Sequence, residues 1–197
     1  MIGRGTIGRI SAFAILAVAG AYAALQFIPA GTAPDAPPPG SAQAAKSTGA
    51  IAVGAVSSLP LPRFVSLKSS EVNVRRGAGT EHQVLWTYHH AGLPVEILQE
   101  WNNWRRIRDA DGADGWIFHS LLSGRRTALV APWSKEPTLP LRGAADEDAA
   151  IVAKLQPNVL ANVDSCGGEW CRVSGERFEG WMKQDQLFGV YPGERFD

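Results

Sequence analysis

The sequence is poor in the residues that carry most enzyme chemistry. Two cysteines, four histidines and two methionines are spread over 197 residues. Two thiols cannot complete a four-ligand zinc site, and the four residues between Cys166 and Cys171 differ from the two-residue spacing of thioredoxin-type redox motifs. His82, His89, His90 and His119 lie far along the chain from both thiols, which leaves no Cys–His nucleophile pair. Adjacent His89 and His90, in an extended segment, point to opposite faces and form no clamp. No Gly-x-Ser-x-Gly elbow and no Gly-Lys-Ser/Thr phosphate loop occurs. The acidic run from Asp109 to Asp114 fails as a calcium loop, because Ala113 holds the fifth position and Ser120 the twelfth; it reads as a polar turn. No catalytic residue, metal or cofactor is expected. A surplus of charge is also missing, since 19 basic residues balance 19 acidic ones. That argues against nucleic acid as a partner, because phosphate neutralisation needs clustered Lys and Arg. The short runs Arg105-Arg106-Ile107-Arg108 and Arg125-Arg126 read as strand and loop surface.

Long amphipathic helical stretches are scarce, while Gly (21), Pro (13) and Trp (7) are plentiful. The mix points to small β-domains with many turns. At the N-terminus, Arg4 and Arg9 precede the apolar run from Ile10 to Ile28. Residues 1–28 fit a secretory signal, with Ala21-Tyr22-Ala23 as a cleavage site, and equally an uncleaved membrane anchor. Both readings export the rest of the chain. Residues 29–58 are Pro-, Ala- and Gly-rich with almost no charge and are expected to be a disordered linker.

The remainder repeats itself. Trp104 and Trp170 stand 66 apart, as do Arg76-Gly77 and Arg142-Gly143; Gly115-Trp116 and Gly180-Trp181 stand 65 apart, as do Leu122 and Leu187. Between these anchors, Leu93, Val95 and Ile97 alternate as Val159, Ala161 and Val163 do, the period of half-buried strands. Two tandem copies of one β-domain follow, at 59–126 and 127–193. In the first, strands are expected at Val72–Arg75, Val84–Tyr88, Val95–Gln99, Trp104–Arg108 and Trp116–Phe118. The third and fourth form a hairpin around Asn102-Asn103. The predicted fold class is all-β: two small, partly open barrels behind an N-terminal apolar helix and a linker.

Val72-Asn73-Val74-Arg75, Gly77, Val84, Gly92, Val95, Trp104, Ile107, Gly115-Trp116-Ile117 and Leu122 resemble the bacterial SH3-like domain. Ala78 stands where that family usually has Pro. The second copy is similar but weaker, with Met182 for the Ile and Pro140 in its first strand. The resemblance implies a non-catalytic module of the cell envelope, periplasmic or held at the inner membrane. It would bind peptidoglycan or wall-associated peptides; the alternative is a protein–protein scaffold of two packed barrels. Membrane contact would come only through an uncleaved N-terminal anchor.

Trp104 and Ile107 lie three apart in one strand and so face opposite sides. With Ile107 in the core, Trp104 stands outside, as Trp170 does relative to Val173. An indole on an open sheet face offers a contact surface. The candidate ligand-binding residues are Trp101, Trp104, Trp116, Phe118, Trp170 and Trp181, with the loops after Arg75 and Gly92. For Trp116 and Trp181, which follow a Gly at a strand start, cover of a barrel end is the competing role.

Aligning Trp170 on Trp104 puts Gly168-Glu169 at a hairpin tip and Cys166 opposite Cys171 on a non-hydrogen-bonded rung, where Cα atoms lie roughly 4.5 Å apart. In an oxidising compartment this pair is expected to be a disulfide. The same rung in the first copy holds Glu100 and Arg105, a predicted surface ion pair worth about 0.2–1 kcal/mol.

Overall fold

The computed structural model describes residues 52–197; the apolar run and most of the predicted linker lie outside the described residues. Nine strands come first: β1 (Ala52–Val53), β2 (Pro60–Leu61), β3 (Arg63–Leu67), β4 (Val72–Arg75), β5 (Val84–Tyr88), β6 (Pro94–Trp101), β7 (Trp104–Arg108), β8 (Asp114–Phe118) and β9 (Leu122–Ser123). Eight follow: β10 (Thr127–Val130), β11 (Leu139–Arg142), β12 (Ile151–Leu155), β13 (Leu160–Gly167), β14 (Trp170–Ser174), β15 (Glu179–Lys183), β16 (Leu187–Phe188) and β17 (Arg195–Phe196). Single 3₁₀ turns at His119–Leu121 and Gln184–Gln186 precede β9 and β16.

The repeat is a repeat of topology. The first sheet runs β5-β4-β8-β7-β6-β3-β9 and the second β12-β11-β15-β14-β13-β10-β16, the same order shifted by seven strands. Neither sheet closes: β5 and β9 end one, β12 and β16 the other. Period-2 alternation fills each core. Val72, Val74, Val95, Ile97, Ile107 and Ile117 are buried in the first copy. Leu139, Leu141, Ala161, Val163, Val173 and Met182 are buried in the second. The long third strand carries a bulge in both copies, between Ile97 and Gln99 and between Val163 and Ser165, which bends the sheet over its core.

The pairing corrects the alignment of the first strands. Arg75 pairs with Trp116, and Arg142 pairs with Trp181. Arg142 is therefore the counterpart of Arg75, not of Arg76. The offset between copies is 67 at β4, 66 at the β6–β7 hairpin and 65 at β8, because two turns of the second copy are each one residue shorter.

Two further differences concern the edges of the first copy. The sheet gains β3 and β9, which pair with each other at Ser66–Ser123 and Leu67–Leu122. Residues 52–58, expected to belong to the linker, instead form a strand and turn: Ala52 pairs with Leu61 and Val53 with Pro60. The Gly54 amide donates to the Leu59 carbonyl at 2.8 Å. What holds this strap is Glu100, whose Oε2 accepts the amides of Val56 (3.1 Å) and Ser57 (2.9 Å) while Oε1 accepts the Ser57 hydroxyl (2.7 Å). Arg63 reaches Glu100 at 2.7 Å and Arg105 at 3.3 Å. The rung predicted to carry a surface ion pair thus carries a carboxylate with no exposed side-chain area. Three of the four other arginines of the runs are paired as well, Arg106 with Asp114, Arg108 with Glu96 and Arg126 with Glu194.

Only Gly124, Arg125 and Arg126 separate β9 from β10, and the copies pack directly on each other. Phe64 stacks against Phe188 at 5.2 Å and Tyr191 at 4.7 Å. The Tyr191 hydroxyl donates to Glu96 Oε1 at 2.8 Å; burial and that hydrogen bond both push the phenol pKa up.

Cys166 and Cys171 occupy one rung of the β13–β14 hairpin, are bonded, and have Cα atoms 4.1 Å apart. Both are buried in the second core. The ring they close is short, so its chain-entropy contribution is about 2 kcal/mol. Because the copies share the Phe64 and Glu96 contacts, reduction is expected to lower one common melting transition by roughly 4–8 °C rather than that of the second copy alone. Scanning calorimetry with and without a reductant checks this; an unshifted transition would contradict it.

Candidate functional site

Outward-facing residues of β4, β7 and β8 build a groove of about 610 Å³ on the first copy. Because Ile107 and Ile117 point into the core, Trp104 and Phe118 point out, and the two are paired across β7 and β8. Their rings meet edge to face, centroids 5.4 Å apart, an arrangement that favours mutual packing. Asn73 and Arg75 of β4 line the same groove with Glu71 and Thr80. Arg75 also sets the loop: its Nη1 donates to the carbonyls of Thr80 (3.0 Å) and His82 (2.7 Å). The result is an aromatic floor with a rim of hydrogen-bonding groups and one carboxylate, suited to an extended polar chain with some apolar surface.

The second copy has the same groove at equivalent positions, and there it is filled. Pro140, Arg142, Glu147, Trp170, Lys183 and Gln186 surround only about 180 Å³. Trp170 replaces Trp104, but Lys183 stands at the position of Phe118 and Glu147 at that of Thr80. Lys183 Nζ lies 5.6 Å from the Trp170 ring centroid and pairs with Glu147. The hydrogen bond to Glu147 pushes the lysine pKa up, and the same bond holds the glutamate below its ordinary value, so both are charged at neutral pH. Cation and indole attract each other through the ring quadrupole. Trp170 is 9% exposed; the expectation of an open indole at this position is corrected, because a side chain of the same domain covers it.

Of the six candidate aromatics, the structure brings Trp104 and Phe118 together in one groove and leaves Trp170 in the closed one. Trp101 is 60% exposed at a hairpin tip and lies outside both grooves. Trp116 and Trp181 are half-buried beside Arg75 and Arg142 and line neither groove. Of the two loops, that after Arg75 reaches the groove through Thr80, whereas Gly92 faces the second copy. Asn73, Glu71 and Thr80 were not singled out from sequence; Asn73 carried a signal, as the polar residue between two core valines. The run at Asp109 is a turn, its Oδ1 accepting the amides of Asp111 and Ala113.

The sequence profile of the bacterial SH3 domain matches residues 68–124 and 135–189, together more than half of the chain. The chain belongs to the bacterial SH3 domain family. No curated protein matches the sequence. Among solved structures it is similar to NlpC1 from Trichomonas vaginalis (15% identity, 68% of this chain and 48% of that one, TM-score 0.30). NlpC2 from the same organism matches at 13% identity over 64% of this chain and 48% of that one, TM-score 0.30. An NlpC/P60 family protein from Bacillus cereus matches at 11% identity over 64% of this chain and 55% of that one, TM-score 0.29. The chain spans about half the length of these structures.

Proposed function

We propose that this chain is an exported, non-catalytic binding module of the cell envelope, and that its first copy holds a wall-associated peptide in the Trp104–Phe118 groove while the second serves as structural support. The observation that carries this reading is the contrast between two equivalent grooves. One is open over an aromatic floor, and the other is filled by its own Lys183–Glu147 pair. Cell-wall material as the source of the ligand comes from membership in the bacterial SH3 family, and export from the apolar N-terminal run.

Co-sedimentation of the purified protein with isolated wall sacculi tests it. Trp104→Ala is expected to weaken binding about tenfold or more, the loss typical of an aromatic anchor, whereas exposed Trp101→Ala leaves it unchanged. No pelleting of the wild type, or equal pelleting of the Trp104 variant, would count against wall binding. The alternative of an envelope scaffold has one observation in its favour. The terminal strands β5 and β12 expose Val84 and Leu85, and Ile151 and Val152, at corresponding positions. It predicts a stoichiometric protein partner and no affinity for sacculi.

A further inference from the structure

We propose that the cleft between the two copies is an anion-binding site, taking a carboxylate or phosphate group between Lys68 and Arg125. The inference stands apart from the wall-peptide reading of the first groove and uses none of its residues.

The cleft encloses about 260 Å³ between the end of β3, the Gly92 turn, the Ser123–Arg125 connection and the start of β13. Its floor is fixed by a chain of hydrogen bonds across the seam. Thr127 Oγ1 donates to the Gly92 carbonyl at 2.6 Å, Ser66 Oγ reaches the Arg125 carbonyl at 2.6 Å, and the two hydroxyl oxygens lie 2.6 Å apart. Ser66 and Thr127 are buried, so both copies are locked together directly beneath the opening. Gly92 has φ +83°, and a Cβ there would meet Leu160 Cδ2 at 3.2 Å. A glycine thus lets the turn approach the second copy without closing the cleft.

Charge defines the ligand. Of the five arginines in the two basic runs, four have carboxylate partners within 4.0 Å. Arg125 is the exception: its guanidinium donates to Asn162 Oδ1, a neutral acceptor that orients it and, among the described residues, leaves its charge uncompensated. Lys68 is exposed and, among the described residues, has no carboxylate within salt-bridge distance either. Among the described residues no acidic side chain lines the cleft, and the remaining polar groups at its wall include Ser123 and Asn162. In a chain of zero formal net charge, two cations without carboxylate partners at one concave site make a local positive potential. Arg presents paired donors that match the two oxygens of a carboxylate or phosphate, and Lys adds a point charge.

The test is titration of the full chain with sodium phosphate, sodium acetate or sodium chloride at fixed ionic strength, following backbone amide NMR shifts of Gly92, Ser123 and Asn162. Saturable shifts with phosphate alone assign a phosphate-bearing ligand, and with acetate alone a carboxylate. Saturation with both assigns the shared chemistry. The Lys68→Gln, Arg125→Gln double variant, which alters only exposed side chains, is expected to weaken that binding more than tenfold, and each single variant to weaken it in part. An unchanged melting temperature shows that the double variant is folded. Non-saturating shifts with every anion, or equal affinity in the double variant, would overturn the proposal. So would saturation by chloride equal to that by the oxyanions.

Discussion

Replacing Glu100 with glutamine is expected to cost about 3–5 kcal/mol of stability and to free residues 52–59 from the first copy. The carboxylate accepts from two backbone amides, one hydroxyl and two arginines, and its side chain has no exposed area. An amide of the same size keeps one acceptor oxygen but turns an N–H₂ toward groups that are themselves donors. It also leaves Arg63 and Arg105, with side chains 18% and 8% exposed, without a counter-charge. Breaking a buried pair from one side carries a penalty of this size because the remaining ion stays desolvated. Urea unfolding measures the loss, and hydrogen exchange at the Val56 and Ser57 amides reports the strap. A shift below about 1 kcal/mol with protection intact would show that the carboxylate does not anchor this segment.

The same site gives the protein an acid limit. Burial pushes the Glu100 pKa up, but the Ser57 hydroxyl, Arg63 and the Ser57 and Val56 amides outweigh it and hold the carboxyl at about 2, against an ordinary value of 4.5. A depressed pKa stabilises the fold fully above the unfolded value. That stabilisation is lost as pH falls from about 4.5 toward 2. Linkage puts the loss at roughly 3 kcal/mol. The difference in stability between wild type and Glu100→Gln should therefore shrink across this window. A difference constant down to pH 2 would contradict the depressed pKa.

Much of this arrangement was written in the sequence, and what was not has definite causes. Alternation and the Gly-Trp repeat gave the strands, and aligning Trp170 on Trp104 gave both the disulfide and its Glu100–Arg105 counterpart as facing rungs. The setting of Glu100 was hidden because its extra partners, Arg63 apart, come from Val56 and Ser57, in a stretch with almost no charge. Two of those bonds are backbone amides, which any residue but proline supplies. The closed second groove was hidden for a different reason. Its lid, Lys183, stands 65 residues from Phe118, the offset of the Gly-Trp pairs, but its counter-ion, Glu147, stands 67 from Thr80, an offset that none of the sequence anchors showed. The cleft at Gly92 joins residues of both copies: the β3–β9 pairing brings Lys68 and Arg125 to one side, and only the packing of the copies sets Leu160 and Asn162 opposite them.

The Gly-Trp signal itself has a physical basis that sets the second large prediction. β8 crosses tightly over β4, and β15 over β11. A Cβ on Gly180 would stand 2.6 Å from the Arg142 carbonyl oxygen and 2.8 Å from Leu141 Cγ. On Gly115 it would meet Val74 Cγ1 at 2.4 Å and the Arg75 carbonyl at 3.1 Å. Neither glycine has positive φ, so the requirement is close approach rather than backbone freedom. Gly180→Ala is expected to cost about 3 kcal/mol or more, toward the upper end of overpacking, since its nearest obstacle is backbone in a strand already paired on both sides. Gly115→Ala should cost less, because a valine methyl can shift further than a carbonyl, although Val74 is fully buried. Gly124→Ala, with open space around it, should leave the melting temperature unchanged or slightly higher. Thermal unfolding of the three variants checks the order. A Gly180 variant as stable as the Gly124 variant would show that β15 can move off β11 at no cost. In the first copy the displacement bears on the proposed binding as well: β8 carries Phe118, so a Gly115 variant that still folds should show weaker binding to wall sacculi than the wild type, through a floor in which Phe118 is displaced from Trp104.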